Sequence, residues 1–464
     1  MVFSSLVFIS IFLPAVLILS WVLPSVTAKN ILLLVASLLF YAYGEPVYVF
    51  LMLGSAFLNY LWALLIEKYR NTQTFFLVIA VVQNLAVLGV FKYAGFLVEL
   101  LIGWTGLQIP VPQLALPVGI SFFTFQAMSY VIDVYRKEVH AQKNFIRILL
   151  YISFFPQLIA GPIVKYHDID EELVNRKQNA EETVKGIRRF IIGLGKKVLI
   201  ANYMAVIADT LFTAQASEIN ILGAWMGAIA YMIQIYFDFS GYSDMAIGLG
   251  WMFGFHFKEN FQYPYAAVSV REFWRGWHMS LSGWFKEYLY IPLGGNRKGK
   301  VRTCINKFIV FACTGIWHGA NVTFLFWGLY HGFFLMLEEF VPFFRKAGGL
   351  GKKIFGHIYV VLMVMIGFVF FRADSMRQGI FWVKEMFSGI HFENSAMSLC
   401  MSLLTPVHLV ALAAGIIFAV PLKNVLAKND KLQKISWIVV LVILVLCMLN
   451  LAGGTYNPFI YFRF

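Results

Sequence analysis

Cysteine and charge are both scarce in this sequence. Only four cysteines occur in 464 residues, Cys304, Cys313, Cys400 and Cys447. They are far apart and form no C-x-x-C pair, so neither a zinc knuckle nor a disulfide framework is indicated. The absence of an Asp-His-His-Cys run removes the usual reading of a cysteine-based protein palmitoyltransferase. No H-E-x-x-H or comparable ligand spacing is present, and no metal site is expected. Charged residues make up 13% of the chain, about half of the ~25% found in ordinary soluble domains. No internal repeat is discernible, which counts against the inverted-repeat design of many transporters.

What fills the space is apolar: 60% of the residues are hydrophobic, in runs that recur at roughly the ~20 residues a bilayer requires. These runs describe an all-α, polytopic membrane protein, expected as one domain over residues 1–464 with about ten to twelve crossings. Residues 1–24 lack a positive n-region, and their apolar run exceeds the ~7–15 residues of a signal peptide. They read as a retained first span. The run 146–162 contains Pro156, Gly161 and Pro162, and 221–255 is interrupted by "FDFSGYSD" at 237–244. Both are expected to dip in and return.

The net charge of +13 does not argue for nucleic acid, because the lysines and arginines sit in loops between apolar runs. Loops 67–70, 136–147, 163–189 and 256–307 are basic, whereas 105–116 and 213–220 contain no Lys or Arg. The first set is expected to face the cytoplasm.

Two polar clusters carry chemistry. The first spans Val268–Lys300, "VSVREFWRGWHMSLSGWFKEYLYIPLGGNRKGK". At 100° per residue Arg271, Arg275, His278, Ser282 and Lys286 share one helical face, opposite Phe273, Trp277, Leu281, Trp284 and Tyr288. An interfacial helix explains this pattern by itself, its aromatics anchored among lipid headgroups and its cations against anionic lipid. The functional reading adds a landing site for an anionic cytosolic donor, since guanidinium suits phosphate. A phosphate-bearing thioester such as acetyl-CoA fits as co-substrate.

The second cluster is "CTGIWHGANVTFLFWGLYHG", Cys313–Gly332. His318 lies in a strongly apolar region, where an ionisable group is a functional hypothesis by default. Gly315, Gly319 and Ala320 are expected to leave open space around it, as suits a buried general base. His331 reads as structural, and about 220° of helix separates it from His318. Asp238 and Asp244 are further intramembrane candidates, for orienting a catalytic ring or shaping an acceptor site, with Ser240 and Ser243 as helix caps.

These segments, together with "LPVGISFFTFQAMSYVIDVYR" (116–136), "FPQLIAGPIVKY" (155–166) and "FRAD" (371–374), resemble the membrane-bound O-acyltransferase (MBOAT) family. The resemblance is to its bacterial branch of alginate and peptidoglycan O-acetylation proteins, and it covers nearly the whole chain. It implies a ring of helices around a tunnel in the bacterial cytoplasmic membrane. Donor then enters from the cytoplasm, and acetyl groups leave for a cell-surface polysaccharide through an extracellular SGNH-type (Ser-His-Asp esterase-like) partner enzyme. It also implies that His318 matches the catalytic histidine and His278 the second active-site position. Trp317, next to His318 in the sequence, is a candidate substrate- or donor-binding residue. Gly276 departs from the pattern, where a second arginine is common. A D-alanyl donor on a carrier protein is the alternative within the family, and a transporter or flippase of a lipid-linked sugar is the alternative outside it.

The last eight residues, "NPFIYFRF" (457–464), read first as an interfacial aromatic belt. They also resemble the aromatic end of the small partner peptide of teichoic-acid D-alanylation systems. That resemblance makes Tyr461 a candidate carrier of the acyl group.

Overall fold

Long apolar runs become helices here, even β-branched stretches such as "WIVVLVILV" (437–445), and no strand occurs among the described residues. The computed structural model describes residues 1–341, 349–421, 430–454 and 458–460, the side chains of 430–436 excepted. Among them five helices have the length and apolarity to cross a bilayer: Tyr48–Lys68, Gln73–Thr105, Ala180–Thr213, Ile221–Met252 and Leu350–Arg372. Asn394–Leu403 and Pro406–Phe418 together have that length and apolarity but are bent by 71°, the geometry of a broken span or a re-entrant loop, and Phe8–Val22, Val26–Ala42 and Trp437–Ala452 are shorter apolar helices. Other apolar runs are housed differently. Residues 117–134, for example, go into the 17-residue helix Ile120–Arg136, most of which is buried.

Two expected interruptions resolve in opposite ways. The helix Phe145–Ser153 does stop, followed by the single turn Phe155–Leu158 and irregular chain to Lys165. This backbone is buried, and Tyr151 donates to the Val164 carbonyl at 2.9 Å. Non-helical chain in apolar surroundings depends on protein partners of this kind. By contrast "FDFSGYSD" does not interrupt anything: Ile221–Met252 is one helix of 32 residues. Asp238, Ser240 and Ser243 are buried inside it, so the serines are not caps, and no dip occurs there. Likewise 74–91 and 93–104 are one helix, with Lys92 inside it donating to Ser121 at 3.3 Å.

The described residues fall into two units, Met1–Phe190 with Ser243–Glu259, and Ile191–Tyr242 with Asn260–Phe464. The first is held by a cluster of phenylalanines, Phe3, Phe8, Phe40 and Phe155, with ring centroids 5.0–6.5 Å apart. Its helices are tied by buried amides. Asn59 and Asn84 exchange hydrogen bonds of 3.0 and 2.7 Å, each worth about 0.6 kcal/mol on average in an apolar medium. Gly186 and Gly248 let two helices touch, since a Cβ on Gly186 would lie 2.5 Å from the Gly248 carbonyl oxygen. His167, on the short helix Tyr166–Val174, places Nδ1 2.9 Å from Asp133 Oδ2 and 3.9 Å from Glu138.

The hydrogen bond that His167 donates to the Asp133 carboxylate raises its pKa above the ordinary histidine value, although burial pulls the other way. A folded-state pKa above the unfolded one stabilises the protein fully below about pH 6.5, and that contribution fades as pH rises through the folded value. Thermal unfolding of wild type and His167→Gln in detergent should therefore differ most near pH ~6 and converge by pH ~9. A gap independent of pH would reject the ion pair.

Candidate active site

The site in the second unit begins at a break. Val270–Gly276 and Met279–Phe285 are separate helices, with a π-helical turn over Lys286–Tyr290, where the sequence pattern suggested one continuous helix. The break falls at His278, which has φ 44° and ψ 53°. A left-handed conformation is unfavourable for any residue with a Cβ, by roughly 1–2 kcal/mol, so something must hold it. Asn260 does so. Its Oδ1 accepts from the Ser280 amide at 3.2 Å and the Ser280 hydroxyl at 2.8 Å, and lies 3.1 Å from His278 Nδ1. Its carbonyl accepts from the Met279 amide at 2.9 Å, and the Gly276 carbonyl accepts from Gln262 at 2.9 Å.

This turn changes which face His278 joins. Phe273, Trp277, Leu281, Trp284 and Tyr288 are buried, and Arg275 and Lys286 are exposed, as the helical pattern requires. His278 leaves the basic face and is only 1% exposed. An amide oxygen is purely an acceptor, so His278 Nδ1 donates to Asn260 and Nε2 carries the lone pair. Around the ring stand Phe239, edge-on at 4.6 Å, and Trp317 at 6.1 Å.

His318 reaches the same indole from the other direction. It is the last residue of Gly299–His318, and a short turn leads to Val322–Phe340, whose N-cap Asn321 accepts from Thr323. Asn321 also donates to the Asp374 carbonyl at 2.9 Å, tying the turn to the "FRAD" segment. The His318 ring is 5.0 Å from Trp317, and meets Trp327 and Phe371 edge-on at 5.1 Å each. The two histidines thus border one tryptophan, Trp317, inside a wall of aromatic rings.

The glycines do not leave the open space expected around His318. A Cβ on Gly315 would collide with the Phe324 carbonyl, one on Gly328 with the Phe311 carbonyl, and one on Gly319 with the Phe324 ring. They are close-approach points that bring the two helices together, as small residues do in membrane bundles. His331 is packed among Phe273, Trp274 and Trp327, and accepts from the Trp274 indole at 3.4 Å.

The remaining candidates disperse. Arg271 pairs with Glu339 at 2.7 Å, an acid shared with Lys307, while Glu338 accepts from the Val270 and Arg271 amides at the helix start. Ser282 is half-buried, its amide donating to the His278 carbonyl. Asp244 is bound in the first unit by Arg189 at 2.8 and 3.0 Å, and Arg189 also holds Glu259. Asp238 pairs with Lys197 at 2.6 Å. Tyr461 lies outside the described residues. Asn260, Lys197 and Phe239 were missed in the sequence. Lys197 was findable, as a cation inside an apolar run, but nothing in "KENFQYP" marks Asn260.

Residues 47–376 match the model of MBOAT, the membrane-bound O-acyltransferase family. The chain is 38% identical to the probable alginate O-acetylase AlgI of Pseudomonas putida, across 100% of both chains. It is 36% identical to the peptidoglycan O-acetyltransferase of Helicobacter pylori, over 83% of this chain and 80% of that one. With the teichoic acid D-alanyltransferase of Bacillus subtilis it shares 28% identity over 49% of this chain and 60% of that one. The chain belongs to the membrane-bound O-acyltransferase family. It is a multi-pass membrane acyltransferase.

Asn260→Leu should remove the support of the His278 tautomer and lower turnover by up to about 100-fold, the lower range for acid–base assistance, with KM less affected. Equal loss in a variant that keeps an acceptor, Asn260→Asp, would argue against tautomer control. Gly315→Leu should prevent the helix pair from closing and cost at least about 1–3 kcal/mol, read as lost detergent-stable protein.

Proposed function

We propose that this protein moves acetyl groups from a cytosolic thioester, acetyl-CoA, toward O-acetylation of a cell-surface polysaccharide. The observation that carries this reading is the placement of His278 and His318 against Trp317, two imidazoles facing one aromatic-walled site. His318 acts as general base: it takes the proton of an attacking hydroxyl, whose oxygen bonds to the thioester carbonyl carbon. The carbon–sulfur bond breaks, and the departing thiolate takes the proton back. His278, held by Asn260 with its lone pair on Nε2, binds the acceptor by accepting from its hydroxyl and so orients it for attack. Exposed Arg275 and Lys286 suit the phosphates of the donor on the cytoplasmic side of a bacterial inner membrane.

The acceptor hydroxyl in this scheme belongs to Tyr461, which passes the group to an extracellular SGNH-type partner enzyme. A phenol, with a pKa near ~10, needs a base to attack and leaves readily in the second transfer. The relatives named for acetylation of alginate and peptidoglycan favour acetyl as the group carried. The relative named for D-alanyl transfer to teichoic acid keeps a carrier-bound D-alanyl donor as the second reading.

His318→Ala should leave a folded protein and reduce acetyl transfer from acetyl-CoA by about 100-fold or more, within the range for loss of a general base. Wild-type-like acetylation in that variant would sink the proposal. Intact-mass analysis of the 457–464 peptide should show an acetyl adduct in wild type and none in Tyr461→Phe.

A further inference from the structure

Lys197 and Asp238 pair at 2.6 Å with side chains only 5% and 2% exposed. Burying two charges is expensive, and apolar residues of similar volume would often serve stability as well or better. What distinguishes this pair is its other contacts. Asp238 Oδ2 accepts from the Ile460 amide at 2.7 Å, and Lys197 Nζ donates to the Pro458 carbonyl at 3.3 Å. Both are main-chain groups of the terminal segment. Phe459 between them is buried against Tyr242 at 4.7 Å and Phe239 at 6.0 Å. Phe239 in turn stands edge-on to His278 at 4.6 Å. The segment is thus gripped through its backbone, one aromatic ring away from the active-site histidine.

We propose that Lys197 and Asp238 form a clamp for the backbone of residues 458–460, and act as positioning residues for the acyl transfer. The clamp offers an anion to an N–H and a cation to a C=O, two residues apart, so it reads peptide geometry rather than side-chain identity. Phe459 supplies the register by filling the slot between Phe239 and Tyr242. Asp238 therefore serves the terminal segment and not the donor. This inference rests on the reading of Tyr461 as relay, because the clamp fixes where the chain stands one residue before it.

The test uses the full-length protein in detergent and three variants: Lys197→Met, the charge-neutral Lys197→Met/Asp238→Leu, which removes the acceptor of the Ile460 amide, and Tyr461→Phe. The double variant guards against misfolding, since it leaves no lone buried charge. Hydrogen exchange at the Ile460 amide, read by mass spectrometry, should accelerate at least tenfold in both clamp variants and remain at the wild-type rate in Tyr461→Phe. Acetyl transfer to the partner enzyme should fall more than tenfold in kcat, with KM for acetyl-CoA unchanged, in the clamp variants. Unchanged exchange in the double variant overturns the clamp. Full transfer in Tyr461→Phe overturns the relay, while the exchange result still decides whether the clamp holds the segment. If Tyr461→Phe is inactive and the clamp variants release the segment yet transfer at the wild-type rate, the positioning role is rejected.

Discussion

The hydrogen bonds that converge on Asn260 Oδ1 hold His278 in a left-handed conformation that its Cβ opposes. Much of the second unit depends on that turn. It splits an amphipathic segment into two helices, carries His278 out of the basic face and into a nest of aromatic rings, and fixes its tautomer. Without it the segment would be the interfacial helix that its sequence pattern describes. Stored backbone strain of this kind persists only where the surroundings over-determine it, and such positions cluster at functional sites.

Close backbone approach does comparable work for His318. Gly315 and Gly328 allow two helices to meet at a distance that any side chain would forbid, and the turn between them is tied to Asp374 through Asn321. The histidine at the end of the first helix is thereby set against Trp317, Trp327 and Phe371. Aromatic walls of this sort exclude water, which strengthens electrostatic interactions inside the site.

Three charges in the apolar interior of the described residues show how partners are chosen. Asp238 has Lys197, Asp244 has Arg189, and Arg176 has Asn30 and the Phe253 carbonyl. Such pairs are weak evidence for stability, because desolvation consumes most of the Coulombic gain. Their value lies in geometry. The same helix presents two carboxylates six residues apart, and each ends with a different task set by the cation it meets.

Hydropathy and composition were enough to read an all-helical membrane protein, because a bilayer leaves the backbone few other ways to satisfy its polar groups. The sequence also singled out His278 and His318 among nine histidines, through their apolar setting and their resemblance to family motifs. Helical periodicity correctly divided Phe273, Trp277, Leu281, Trp284 and Tyr288 from Arg275 and Lys286. Periodicity assumes an unbroken helix, however, and it failed at the one residue where Asn260, eighteen positions away, overrides local preference. Composition likewise suggested that small residues beside His318 make a void, although only packing decides whether a glycine faces space or another backbone. It was tertiary structure that assigned Asp238 to the terminal segment and Asp244 to Arg189, because the partner of a buried charge is chosen by contact across the fold and not by spacing along the chain.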